Sequence, residues 1–269
     1  MKSTLFKILQ RRLKFRNPNH LITIPENFSF SPSEFLEAEN YIQKLIEKKI
    51  NYTFPGDGLY PRAFLKMKEP PLFVEFEGQA FWKDANFISV VGSREISSLT
   101  ESWMKANLQS FIENSGLGIV SGGARGVDQL AHLLCLKSNR PTIFILPSGL
   151  QCKYPQNLSL FQRDEFTANT CFLSEFEFDQ ALHKSHFYFR NRLIAALGEF
   201  TLVAQASLKS GSLLTVHHCL ENGRQVLVIP SHPQLCGFDG NIKLIRDGAI
   251  PAANQQDLLD FWNAESISK

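Results

Sequence analysis

The chain has 269 residues, 43% of them hydrophobic, enough for one large core plus a small appendage. Its net charge of +2 is too small to mark a nucleic-acid binder by itself, although a local basic cleft would be hidden in that sum. The five cysteines (Cys135, Cys152, Cys171, Cys219, Cys236) lack CxxC spacing, no apolar run could span a bilayer and no secretory signal opens the chain; a cytoplasmic protein with reduced thiols and no metal site is expected.

Residues 1–20 carry six basic side chains (Lys2, Lys7, Arg11, Arg12, Lys14, Arg16) and no acid, with Leu5, Ile8, Leu9 and Leu13 at helical spacing. Such a helix packs on its own domain with a solvated basic face, or touches lipid, nucleic acid or a partner. Residues 21–35 read as a loop, and "SPSEF" starts a helix predicted over Ser33–Lys49 with a serine cap and early acids. A turn-rich segment then leads into a strand over Leu72–Phe76. From residue 87 the pattern becomes regular. Strands at "FISVVG", "GIVSGG", "PTIFILP", "FLSEF", "FTLVAQA" and "QVLVIP" alternate with helices near 97–114, 126–138, 190–198, 212–222 and 240–247. Short apolar strands separated by helices imply a parallel sheet covered on both faces. The expected class is α/β: a doubly wound, mostly parallel Rossmann-like sheet over residues 41–269, with a short N-terminal helical extension over 1–40.

In such a sheet the ligand lies beyond the C-terminal strand ends. Several turns fall there: Gly92, Ser93 and Arg94; Ser121, Gly122, Gly123, Arg125, Gly126 and Asp128; and Lys209, Ser210, Gly211, Ser212 and Thr215. Glycines let backbone approach a phosphate, helix N-termini offer N–H groups, and arginine adds bidentate contacts. One glycine turn is ordinary βα geometry, but several on one rim suggest a polyanion site. Asp128 is expected to fix its turn, and His132 to be either a base beside it or a buried structural histidine. GxGxxG and GxxxxGK[ST] are both absent, so a dinucleotide cofactor or an ATP loop is not supported. The stretch "FYFRNRLIAAL" opens a helix with Arg190, Asn191 and Arg192, preceded by Lys184, His186 and the aromatic Phe187, Tyr188 and Phe189. Cations interleaved with rings suit single-stranded nucleic acid; alternatively the rings are core and the arginines pair with Glu175 or Glu177.

Taken in order, "GDGLYPRAFLKMKEPPLFVEFEG", "VVGSRE", "VSGGARGVDQLAH", "LPSGLQCKYPQN", "FYFRNRLIAAL", "SLKSGSLLT" and "GNIKLIRDGA" resemble the bacterial DNA-processing protein A family, also called DprA or Smf, over roughly residues 41–262. The resemblance implies an extended Rossmann domain that binds single-stranded DNA and forms a homodimer. It also implies protection of incoming DNA in natural transformation and loading of a RecA-type recombinase, with no cofactor and no catalysis. It places Arg94 and the glycines of "SGGARG" in the DNA pocket, with Arg190, Arg192 and Ser210 at or beside it. Gln156, Tyr188, Gln205 and Ser231 stand where family members usually carry other residues. Members often have a helical N-terminal domain and a winged helix; here the first is expected to be truncated and the second missing. The alternative is a small-nucleotide sensor or a phosphoribohydrolase-like enzyme. His218 occupies the position where the latter's signature has its glutamate, so no carboxylate is placed for acid–base work.

Overall fold

A computed structural model describes residues 2–16 and 30–267. Of the loop expected at 21–35, residues 21–29 lie outside what is described and Pro32 onward is already helical; the side chains of Lys2, Leu13, Lys14 and Arg16 also lie outside it. The strands are β1 (Asn51–Thr53), β2 (Val74–Glu77), β3 (Phe87–Val91), β4 (Gly118–Ser121), β5 (Thr142–Ile145), β6 (Thr170–Ser174), β7 (Gly198–Val203), β8 (Val226–Val228) and β9 (Ile250–Pro251). The helices are α1 (Lys2–Arg16), α2 (Pro32–Glu47), α3 (Arg62–Leu65), α4 (Ser98–Trp103), α5 (Gln109–Ser115), α6 (Val127–Lys137), α7 (Asp164–Thr167), α8 (His186–Leu197), α9 (Ser212–Glu221), α10 (Asp239–Arg246) and α11 (Gln255–Ile267). The helix expected over 97–114 is continuous but not uniform, because a π-helical turn, Met104–Leu108, joins α4 to α5.

The strands form one sheet in the order β1-β2-β6-β5-β4-β3-β7-β8-β9. The pairs from β6 through to β9 are parallel, and only β1–β2 and β2–β6 are antiparallel. The chain winds outward from β3 in both directions, through β4, β5 and β6 on one side and β7, β8 and β9 on the other. The switch point therefore lies between β3 and β7, where an open α/β sheet leaves a crevice.

Alternation along each strand builds a core on each face. Val91, Val120, Ile143 and Val203 pack against α3, α8, α9 and α10. Ile88, Val90, Ile119 and Leu202 pack against α4, α5, α6, α11 and the π-helical turn. A third cluster joins Leu5, Ile8 and Leu9 of α1 and Ala38, Tyr41 and Leu45 of α2 to Phe144 and Phe172 of the sheet. The boundary expected at residue 40 thus falls within α2, and α1 shares a core with β5 and β6. Of the two readings of the basic N-terminal helix, the structure shows the packed one, but with Arg11 buried instead of on a solvated face. Arg11 forms a buried ion pair with Glu75 at 2.6 Å, and Arg12 bonds Glu177 at 2.6 Å. Ser31 caps α2 in a capping box with Glu34.

Candidate functional site

A cleft of about 870 Å³ opens at the C-terminal ends of β3 and β7. Three turns and one helix wall it: Gly92, Ser93, Arg94 and Glu95 after β3; Ala124 and Asp128 after β4; Gln205, Ser210, Gly211 and Ser212 after β7; and Lys184, Phe187, Arg190 and Asn191 on or just before α8. The turns interlock through hydrogen bonds to backbone carbonyls. Ser93 N donates to Gln205 O at 2.7 Å, Val127 N donates to Ser93 O at 3.1 Å, and the Ser212 hydroxyl donates to Gly92 O at 3.0 Å. The Gln205 amide oxygen accepts from Ser97 N and the Thr100 hydroxyl, tying the β7 turn to the start of α4.

Of the "SGGARG" turn and the start of α6, Ala124 and Asp128 line the cleft, while the glycines make room for contacts within the chain. A Cβ on Gly122 would lie 1.1 Å from Arg190 Nη1, so the bare backbone at this turn makes room for an arginine of the protein itself. Gly126, at φ +79°, lies where a Cβ would come within 2.4 Å of Ser93 O, and so lets the β3 and β4 turns touch. Gly123 packs on Leu158 and Phe144. The N–H groups of Gly122 and Ala124 donate to Asp128 Oδ2, each at 3.2 Å, so Asp128 fixes the turn. Ser121 is buried, its hydroxyl donating to Val90 O. Arg125 and Lys209 are exposed and outside the cleft lining. Arg192 is buried: it pairs with Glu175 and donates to Glu69 O, 2.7 Å away. The reading that paired an arginine with Glu175 holds for Arg192, and the cleft retains Arg190.

The helix expected at 190–198 begins four residues earlier, at His186, which places Phe187 on the cleft wall one turn before Arg190. Two guanidinium groups lie near the Phe187 ring. Arg94 Cζ is 5.7 Å from its ring centroid and Arg190 Cζ is 5.5 Å from it. The quadrupole of the ring attracts both cations and offsets part of their mutual repulsion. Arg94 is exposed and, among the described residues, forms no ion pair. Arg190 is buried, with Asp128 Oδ2 4.0 Å from Nη1 and no hydrogen-bond partner for its Nε. Burial, partly offset by Asp128 and reinforced by Arg94, lowers its pKa to about 10, so it stays charged at neutral pH. Burial, opposed by Arg190 and by the turn N–H groups, raises the Asp128 carboxyl to about 6. His132 is structural: its Nδ1 lies 2.6 Å from the Thr142 hydroxyl, its ring stacks on Phe144, and burial drives its pKa well below the usual value. Cys236 and Gly237, beyond β8, complete the rim and carried no signal in the sequence.

Residues 51–263 match the family model for DNA recombination-mediator protein A. The chain belongs to that family. It is 32% identical over 233 residues to the DNA processing protein DprA of Streptococcus pneumoniae, covering 85% of this chain and 82% of that one. It is 31% identical over 241 residues to Protein Smf of Synechocystis sp., covering 88% of this chain and 58% of the relative. Protein Smf of Escherichia coli is 31% identical, with 93% of this chain and 64% of the relative covered, so the chain spans only part of the length of both Smf proteins. The solved DprA of Streptococcus pneumoniae superposes with a TM-score of 0.77 at 29% identity, covering 96% of this chain and 93% of that one. The DNA processing protein A of Helicobacter pylori, studied for its single-stranded DNA binding mode, gives 0.70 at 28% identity, with 80% and 97% covered. Both neighbours carry the Rossmann-like α/β sheet into a family of recombination mediators.

Proposed function

We propose that this family member binds single-stranded DNA in the switch-point cleft and acts as a recombination mediator. In this role it shields incoming DNA and passes it to a RecA-type recombinase as a cytoplasmic homodimer, without catalysis. The observation that carries the reading is the Arg94–Phe187–Arg190 arrangement, two cations near one aromatic ring in the wall of a cleft. Cations suit phosphates and an aromatic wall suits unstacked bases, neither of which requires a particular sequence. Single strands should therefore bind more tightly than duplex of equal length, with a log–log salt slope of about −0.7 per phosphate neutralised. Fluorescence anisotropy across a salt series measures both, and equal affinities at moderate salt would refute the single-strand preference. Light scattering tests the dimer: a monomer mass at micromolar concentration would overturn it.

Asp128 gives the cleft a pH dependence of definite sign. Its carboxylate opposes a bound anion, and its folded pKa of about 6 lies above the ordinary 3.8. As pH falls through about 6 the carboxyl takes up a proton, the negative charge disappears, and DNA affinity should rise. The same proton uptake favours the folded state as pH falls from about 6 towards 4, because there the native protein binds more protons than the unfolded chain. Asp128→Asn keeps an oxygen for the turn N–H groups and should flatten the affinity profile between pH 7.5 and 5.5, measured by anisotropy; an unchanged slope in the variant would assign the dependence elsewhere.

A further inference from the structure

A second basic concavity lies at the other pole of the sheet. It has a volume of about 500 Å³ and opens at the N-terminal ends of β3 and β7, where Phe87 and Glu199 line it. The five residues of β3, spanning roughly 16 Å, separate this pole from the cleft at Gly92. Four cationic side chains line the pocket (Arg62, Lys66, Lys83 and Arg224) against a single carboxylate, Glu199. Arg224 is held in place by donating to Gly198 O. Arg62, Lys66 and Lys83 are exposed and, among the described residues, none of them forms an ion pair. Four cations against one carboxylate leave the pocket with an excess of positive charge, which an anion entering from solvent would offset.

The pocket also has an aromatic wall fixed from behind. Trp82 lines it, its indole N–H donating to Leu59 O at 2.7 Å and its ring meeting Phe76 edge-on, with centroids 5.1 Å apart. A partly exposed indole that is already immobilised loses little entropy when a flat ring stacks on it. Cations within reach of such a wall match a planar base joined to a phosphate. The volume falls in the range of sites that enclose a small ligand.

We propose that this pole pocket is a second site, for a nucleoside phosphate, with the base against Trp82 and the phosphate among Arg62, Lys66 and Lys83. The ligand is either a free nucleotide or one unit of a single strand. The site stands on its own residues and does not depend on what the cleft binds.

The test follows the Trp82 indole N–H signal by NMR in the Arg94→Ala protein, assigned through Trp82→Phe and titrated with thymidine 5′-monophosphate and with an oligothymidylate of about six nucleotides. The Trp82 signal should shift with at least one of these probes. The exposed-site double variant Lys66→Glu with Lys83→Glu should weaken that response by about tenfold or more, the loss expected for one or two charge-assisted phosphate contacts. A response as strong to the mononucleotide as to the oligomer assigns the pocket to free nucleotides, and a stronger response to the oligomer assigns it to a strand. A Trp82 signal that neither probe moves, or that responds equally in the charge-reversed protein, overturns the proposal. Because the cleft is weakened throughout, neither result bears on the cleft reading.

Discussion

Replacing Arg94 with alanine is expected to weaken single-strand binding by on the order of ten- to a hundredfold, the worth of one charge-assisted hydrogen bond of roughly 1.5–3 kcal/mol. The fold should be almost untouched. The Arg94 side chain is exposed, with its guanidinium 5.7 Å from the Phe187 ring centroid, so the change in stability should stay within about 0.5 kcal/mol, as at other surface positions. The salt slope should also become shallower by about 0.7, because one phosphate is no longer neutralised. Anisotropy and thermal denaturation of the same preparation read both effects, and a folded variant with unchanged affinity and slope would remove Arg94 from the site. Gly122→Ala probes the same cleft from behind. Its methyl would occupy the place of Arg190 Nη1, so it should perturb Arg190 while leaving Arg94 in place.

The parallel half of the sheet was legible because burial on both faces turns each strand into a short apolar run. Phe87–Val91, Gly118–Ser121 and Thr142–Ile145 are buried at every position. In the antiparallel edge the strand expected at Leu72–Phe76 appears as β2, but β1 was not legible. Asn51–Thr53 runs from exposed to buried over three residues just before a turn-rich segment, and its partners lie more than twenty positions away. The start of α8 was misplaced because Phe187, Tyr188 and Phe189 blur the helical period: Tyr188 is exposed while its neighbours are half-buried. In the cleft, charge type was readable and orientation was not. Arg190 and Arg192 are two positions apart on one helix, hence on different faces, and only the fold shows which one meets Glu175 and which one the cleft. The glycine turn was visible too, but spacing cannot tell a bare backbone kept for a ligand from one kept for an arginine of the same chain.

The contact with no trace in the sequence is the one expected to matter most for stability. Arg11 and Glu75 are 64 positions apart, and both are essentially inaccessible to solvent. The Arg11 guanidinium also lies 4.6 Å from the Phe73 ring centroid, and the Tyr41 hydroxyl donates to the same Glu75 oxygen at 2.5 Å. Arg11→Met keeps apolar volume but takes the counter-charge from a buried carboxylate, a change that costs roughly 3–5 kcal/mol. For a chain of this length that corresponds to a fall in Tm of roughly 6–20 °C. Burial already raises the Glu75 pKa and Arg11 opposes that rise, so without Arg11 it should climb further. A carboxyl whose folded pKa exceeds its unfolded value destabilises the protein at neutral pH and is relieved as pH falls, so the Arg11→Met deficit should shrink between pH 7 and 5. Adding Glu75→Gln removes the stranded charge and should recover much of the loss at pH 7, since a neutral amide can still accept from Tyr41. Denaturant titrations of the two single variants and the double variant at both pH values separate the contributions. A loss below about 1 kcal/mol in Arg11→Met would mean that the pair behaves like a solvated surface bridge, and that α1 is held chiefly by the packing of Leu5, Ile8 and Leu9.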